Sequence, residues 1–251
     1  MSGLTNDAFL GGQLMLRQPR NGYRAGVDPL FLAAAVPARP GETVLELGTG
    51  IGTALLALGQ RVNGLHLVGV ELQEAYAQLA RYNATQNAIQ AEIVTADLTN
   101  LPSKVKERSF DHVIANPPYH RRDAGIAAAD SGRERGRGEH TPLADWIETA
   151  LRRARTGGRV TLIQRAERLQ EILRAATEMG SISIHPLQPR IGRPARLVVI
   201  TGQKGAKGSL KLHAPTLLHS GPAHETDAPD YSPDADAVLR SGASWPWVAL
   251  D

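Results

Sequence analysis

From Thr43 onward the chain alternates short apolar runs with helix-like patterns, and that alternation limits the folds open to it. Residues 43–47 (TVLEL) and 65–70 (LHLVGV) read as buried strands, with a stretch of helical composition, 53–60, between them. A longer amphipathic pattern covers 74–87, and 91–95 (AEIVT), 110–115 (FDHVIA) and 159–164 (RVTLIQ) supply three more strands. Helical patterns over 143–155 and 166–178 flank the last of these. Two adjacent strands, 181–187 and 196–201, close the series with a short basic connection. Strands alternating with helices build an α/β protein with a mainly parallel sheet covered on both faces, and the closing hairpin adds one antiparallel strand. The expected organisation is a lead-in over 1–40, an α/β domain over 41–202 and a C-terminal extension over 203–251. The lead-in reads as irregular until a short apolar helix at 28–36, with Asp28 as its N-cap and Pro29 in its first turn. Residues 121–138 and 220–233 read as loose connections.

Composition narrows the chemistry. A chain of 251 residues with 42% hydrophobic and 21% charged residues is an ordinary globular protein, not a disordered one. It has no cysteine, so disulfides, thiolate metal sites and cysteine nucleophiles are excluded, in keeping with a reducing cytoplasm. The eight histidines show no metal-ligand spacing, and no metal is expected. No run of 18 apolar residues and no signal-peptide pattern occurs, so no membrane partner is expected and the expected location is cytoplasmic. The net charge of +3 hides a segregation. Arg190, Arg193, Arg196, Lys204, Lys207 and Lys211 follow one another without an acid, whereas Glu225, Asp227, Asp230, Asp234 and Asp236 crowd the tail.

Two turns carry the candidate chemistry. The run Glu46-Leu47-Gly48-Thr49-Gly50-Ile51-Gly52 takes a strand through a glycine-rich turn into a helix, where small residues let a ligand approach the backbone and the helix N-terminus presents N–H donors. Glu71 ends the second strand 19 residues beyond Gly52, and Asp97 follows the third strand. All three positions fall at the carboxyl edge of an open sheet. A nucleoside with ribose hydroxyls for Glu71 and an exocyclic amine for Asp97 suits them. A tight turn with two solvated acids is the alternative.

After the fourth strand stands Asn116-Pro117-Pro118-Tyr119. The Asn116 side-chain oxygen and the Pro117 carbonyl can both accept hydrogen bonds from an NH2 group, which directs the nitrogen lone pair at an electrophilic methyl. Tyr119 offers a ring face for a planar base. The prolines hold the acceptors in place beforehand. A rigid turn without catalytic purpose would also accommodate this tetrapeptide.

Together, Gly48 to Gly52, Glu71, Asp97 and Asn116 to Tyr119 resemble the class I amino-methyltransferases of the NPPY type. The segment 7–34 further resembles the lead-in of the bacterial tRNA adenine-N6 methyltransferases that modify nucleotide 37 of valine tRNA. The resemblance spans about residues 8–202 and implies a Rossmann-like fold with a seven-stranded sheet, helices on both faces and one antiparallel strand. It implies S-adenosylmethionine as cofactor, with Tyr23, Asp28, Glu46, Gly48, Thr49, Gly50, Gly52, Glu71, Leu72, Asp97, Leu98 and Asn116 around it and the lead-in closing over it. It implies Asn116, Pro117 and Tyr119 as catalytic residues and tRNA as partner, with Arg24, Arg121, Arg122, Arg190 and Arg193 as candidate RNA contacts. Methylation of a glutamine in a protein such as a release factor uses the same acceptors, although those enzymes usually carry a helical N-terminal domain. Methylation of a ribosomal RNA base amine, DNA adenine methylation and a non-enzymatic RNA-binding module are further alternatives.

Overall fold

The computed structural model describes residues 3–121, 138–139, 141–221 and 230–250. Strands β3 (Thr43–Leu47), β4 (His66–Glu71), β5 (Ala91–Thr95), β6 (Phe110–Ala115) and β9 (Ala154–Arg165) run parallel in the order β9-β6-β3-β4-β5. Beyond β9 the sheet continues through β11 (Leu197–Lys204), antiparallel to both its neighbours, and then β10 (Met179–Gln188). These are the seven strands expected, with one antiparallel member. Two two-residue strands, β12 (Lys211–Leu212) and β13 (Thr216–Leu217), add to β10 and bring the sheet to nine strands. Because β10 runs parallel to β6 and β9, its connection to β11 emerges at the same carboxyl edge as the ends of β3, β4 and β6.

Alternating strand residues feed two cores. On one face α1 (Asp28–Ala34), α2 (Thr53–Arg61) and α3 (Glu74–Gln86) cover Val44, Leu67, Ile93, Ile114 and Ile163. On the other, α4 (Ser103–Lys106), α5 (Leu143–Arg153) and α6 (Leu169–Ala175) cover Leu45, Val68, Val94, Val113 and Leu162. The helix expected over 143–155 ends at Arg153, and β9 already begins at Ala154, with Gly157 at a φ of 74° where its pairing with β6 shifts register. The helix expected over 166–178 divides into a 3-10 turn, Ala166–Arg168, and α6.

The lead-in is not irregular. It forms an antiparallel hairpin, β1 (Leu4–Phe9) with β2 (Leu14–Pro19), turning through Gly11 and Gly12 with φ of 63° and 96°. Alternate Leu14, Leu16 and Gln18 are buried, a period-two pattern obscured because exposed Met15 is apolar and buried Gln18 is polar. The free edge of β2 is closed by amide side chains in and just after α3: Asn87 bonds both backbone groups of Met15, and Asn83 both of Arg17. Asn83, fully buried, also donates to the Ile51 carbonyl at 3.0 Å, which fastens the lead-in to the glycine turn. Asp28 begins α1 but makes no capping hydrogen bond; its carboxylate is used elsewhere.

The tail returns across the α1 face. Trp245 is fully buried, packs on Phe31 at 5.2 Å between ring centres and donates Nε1 to the Phe31 carbonyl at 3.0 Å. Arg190 pairs with Asp230, which also bonds His219 at 2.7 Å, so charges far apart in sequence meet in space. Among the described residues no helix is long and apolar enough to cross a membrane.

Candidate functional site

At the carboxyl edge a cavity of about 540 Å³ opens between the lead-in and the ends of β3, β4, β5 and β6. Gly48 and Gly50 from the glycine turn, Glu71 and Leu72 after β4, Asp97 and Leu98 after β5, and Asn116 to Tyr119 after β6 line it, and Tyr23, Arg24 and Asp28 roof it. Four separated stretches of sequence are thus brought to one wall by parallel strands of matched length.

The glycine turn is shaped from behind. Gly48, Gly50 and Gly52 all have positive φ, at 67°, 56° and 92°. A Cβ on Gly48 would stand 2.5 Å from Trp146, so that glycine is required by packing as well as by backbone conformation. A Cβ on Gly50 would meet only Tyr23, at 3.8 Å, across the cavity. The N–H donors expected to be free are largely taken. Gly50 N–H donates to Glu71 Oε2 at 2.8 Å, Thr49 N–H to the Val70 carbonyl at 2.9 Å, and Leu55 N–H to Glu46 Oε2 at 3.1 Å. What remains toward the cavity is a surface without side chains.

Glu71 is buried and its other oxygen accepts Gln73 N–H at 2.9 Å. Burial pushes its carboxyl up, and the N–H groups of Gln73, Gly50 and Leu72 oppose that push. Glu46 does not line the cavity. It lies beneath the turn, accepts Thr49 Oγ1–H at 2.6 Å, and burial raises its carboxyl to about 8. Glu46, Thr49 and Gly52, expected around a cofactor, therefore form the support of the turn and not its surface. Asp97 accepts both Thr99 N–H and Thr99 Oγ1–H on Oδ1, which fixes the carboxylate at the cavity rim. Leu72, 55% exposed, is an apolar side chain presented to the same opening.

The proline loop is also held from behind. Asn116 Oδ1 is buried and has no hydrogen-bond partner among the described residues, an uncommon state for a buried acceptor. The Pro117 carbonyl accepts from Gln164 Nε2 at 3.2 Å, and the Pro118 carbonyl from Arg168 Nη1 at 3.3 Å. Tyr119 donates its hydroxyl proton to Asp28 Oδ2 at 2.6 Å, tying this loop to α1. Burial and the Asp28 charge keep the Tyr119 phenol protonated, and burial pushes the Asp28 carboxyl up against that hydrogen bond.

The structure also brings in residues that sequence reasoning passed over. Tyr76, on the first turn of α3, packs edge-on to Tyr23 at 6.4 Å and accepts Tyr23 N–H on its hydroxyl at 2.9 Å. Trp146, on α5, lines the cavity, and its buried Nε1 has no partner among the described residues. Gln164 ends the segment 159–164 read as a strand, but Arg159 and Thr161 in the same segment are polar too, so nothing local singles it out. Of the candidate RNA contacts, Arg24 is occupied within the lead-in, donating to Asp7, Thr5 and the Pro19 carbonyl. Arg190 is bound to Asp230 and the Ser220 carbonyl and so ties the tail to the connection between β10 and β11. Arg193 stands exposed between β10 and β11. Arg121 has its backbone in the short strand β7 (His120–Arg121), paired with β8 (Gly138–Glu139). Arg122 and most of both loose connections lie outside the described residues. Among the described residues no group of three or more metal-ligating side chains occurs.

The donor set fits S-adenosylmethionine. Glu71 and Asp97 offer carboxylate oxygens to ribose hydroxyls and a purine amine, Leu72 an apolar face, and Gly48 and Gly50 a wall that a Cβ would fill. Comparison with known proteins agrees. The family described as Methyltransferase small domain matches residues 26–131. A tRNA1(Val) (adenine(37)-N6)-methyltransferase of Porphyromonas gingivalis is 30% identical over 184 residues, covering 69% of this chain and 71% of that protein. One of Haemophilus influenzae is 26% identical over 201 residues, covering 78% and 84%. Among solved structures, a protein from Agrobacterium tumefaciens described as a predicted O-methyltransferase superposes with a TM-score of 0.69 at 26% identity, covering 87% of this chain and 98% of its own. A 16S rRNA N2 G1207 methyltransferase of T. thermophilus, in complex with AdoMet and guanosine, shares the fold with a TM-score of 0.57 at 21% identity, covering 80% of this chain and 50% of its own.

Proposed function

This chain belongs to the tRNA1(Val) (adenine(37)-N6)-methyltransferase family and is an S-adenosylmethionine-dependent N-methyltransferase, and from that premise we propose that it methylates the exocyclic N6 of adenine 37 in valine tRNA. The observation that carries the reading is the buried Asn116 Oδ1, without a partner among the described residues, on the same cavity wall as Pro117. Two acceptors on one wall match the two N–H bonds of an aromatic amine, whose own lone pair is delocalised into its ring. Hydrogen bonds to both fix the nitrogen and favour the pyramidal form in which the lone pair is available. The side chains of Tyr23, Glu71, Leu72 and Asp97 hold the cofactor, which when bound supplies an electrophilic methyl on a positive sulfonium.

Tyr119 keeps its ring in place through the Asp28 hydrogen bond and gives the base a face on which to stack. An adenine within a folded RNA loop must turn out of its stack to enter, as bases generally do before such chemistry. No residue needs to act as base during transfer, because the methylated nitrogen releases its proton readily afterwards. Rate enhancement on this reading comes from positioning and from fixed dipoles. The choice of RNA, and of nucleotide 37, follows the names of the relatives. Exposed Arg193 and Arg196, at the same edge as the cavity, suit phosphate contacts.

Nucleoside mass spectrometry on unmodified valine tRNA incubated with S-adenosylmethionine tests the reading, with Asn116→Ala as the control. N6-methyladenosine formed by the parent protein alone is the expected result. Cofactor binding without a methylated nucleoside, together with methyl transfer to glutamine in a release factor, would overturn it.

A further inference from the structure

We propose that Gln164 is a positioning residue for methyl transfer: from β9 its buried side-chain amide holds the Pro117 carbonyl in the orientation that receives the acceptor amine. The proposal rests on the site reading above, because it assigns the Pro117 carbonyl a substrate to meet. Strands β6 and β9 pair in parallel through Ala115 and Leu162, and the same register carried two residues further sets Pro117 against Gln164. There the ladder loses its donors, since neither Pro117 nor Pro118 has an N–H. The Gln164 side chain takes over. It is completely buried, and its Nε2 lies 3.2 Å from the Pro117 carbonyl oxygen and 3.4 Å from that of Pro118.

The amide orientation is fixed at both ends. Gln164 Oε1 accepts Arg165 N–H at 2.8 Å, so a flipped amide would set its N–H group against another N–H and its oxygen against two carbonyls. The Pro118 carbonyl has a second donor in Arg168, whose guanidinium is anchored on Glu171 at 2.9 Å. Gln164 is thus the contact aimed at Pro117, and Arg168 steadies the next peptide. A carbonyl oxygen accepts two hydrogen bonds. Gln164 uses one and leaves a second for a donor, on a residue that lines the cavity together with Asn116.

Without that bond the Pro117 carbonyl is free to swing about its own backbone torsion, out of line with the amine. A misplacement of about 1 Å at a reacting centre can lower turnover on the order of a hundredfold. The cofactor wall, built by Glu71, Asp97 and the glycine turn, is untouched by it.

The test compares parent, Gln164→Met and Gln164→Glu for kcat, KM for unmodified valine tRNA, cofactor affinity by calorimetry, and thermal transition, each across a pH series. Met keeps the bulk and has no donor. Its kcat is expected to fall tenfold to a hundredfold, roughly, with cofactor affinity near that of the parent. Glu donates to a carbonyl only while protonated, and burial raises its carboxyl above the ordinary range. Its rate relative to the parent is therefore expected to decline as pH rises, by about tenfold per unit beyond that carboxyl's pKa. In the free parent protein, hydrogen exchange followed by NMR should show the Gln164 side-chain amide protons protected.

A Gln164→Met protein with the parent's kcat overturns the proposal. So does a Gln164→Glu rate whose pH profile parallels the parent's, or one that declines only in step with the thermal transition. If Gln164→Met does not fold, the pH ratio of Gln164→Glu decides alone. A parent protein that methylates glutamine and not tRNA refutes the substrate assignment, while the same ratios, measured on that amide, still judge Gln164.

Discussion

The two turns that form the cavity wall are built by one device with opposite polarity. The glycine turn after β3 is gripped by a carboxylate at the end of the neighbouring strand: Glu71 accepts Gly50 N–H. The proline loop after β6 is gripped from behind by a carboxamide on its neighbouring strand: Gln164 donates to the Pro117 carbonyl. In one turn the backbone amides are withdrawn and a bare surface faces the cavity. In the other the two prolines carry no N–H, carbonyls are fixed, and a side-chain acceptor, Asn116 Oδ1, is without a partner among the described residues. The first arrangement admits close approach of a ligand body. The second waits for a donor. Cofactor and amine substrate differ in just this respect, and each turn matches one of them.

The sharpest way to break this division of labour is Asn116→Ala. Turnover should fall about a hundredfold to a thousandfold, in line with the loss of one fixed polar group from a reacting site. Calorimetry should find S-adenosylmethionine binding close to the parent's; a parallel loss of affinity would place Asn116 in the cofactor wall instead. Gly48→Ala strikes the other turn. Its Cβ meets Trp146 at 2.5 Å from a positive-φ backbone, and thermal or urea unfolding should show a loss of about 2–4 kcal/mol. Gly50→Ala, with positive φ but an open neighbourhood, should lose only about 1–2 kcal/mol. Equal losses would mean that conformation alone, and not Trp146, demands these glycines.

Glu71→Gln should weaken cofactor binding by roughly tenfold to a hundredfold, since hydrogen bonds to an ionised group are worth about 1.5–3 kcal/mol. Turnover at saturating cofactor should change little; a collapse there instead would link the two turns more closely than their separate supports suggest. A last test concerns the pH dependence set by Glu46. Unfolded, this carboxyl ionises near 4.5, and in the folded protein burial holds it at about 8. Between those values the folded chain keeps a proton that the unfolded chain has released, so its contribution to stability falls as pH rises through the window and levels off above it. Glu46→Gln removes that slope. The melting temperature of the variant relative to the parent should therefore climb across the same window, and a flat difference would refute the assignment.

The paired supports also explain which parts of the site could be read in advance. Gly48, Gly50, Glu71, Asp97, Asn116 and Tyr119 announce themselves because each residue type has a local reason to stand where a strand ends. Gln164 and Trp146 have none: one is a polar residue on a buried strand, the other an aromatic on an amphipathic helix, and only register and packing bring them to the wall. Tyr119 was legible as a stacking platform, but its bond to Asp28, 91 positions away, was not. Arg190 likewise has a partner that the sequence did not reveal. Its run of cations suggested a nucleic-acid face, whereas folding returns the acidic tail to it through Asp230.

Local periodicity and backbone chemistry thus determined, by themselves, the alternation of strands and helices, the parallel sheet with its one reversed strand, and the two turns at its carboxyl edge. Those depend on neighbours a few residues apart. Tertiary structure alone decided that the lead-in is a hairpin closed by Asn83 and Asn87, that Glu46 supports the turn without facing the cavity, and that Gln164 meets Pro117. Each of those depends on the alignment of strands and helices far apart in the chain, where the desolvation of a buried polar group makes its partner obligatory but its position in sequence does not reveal which partner it will be.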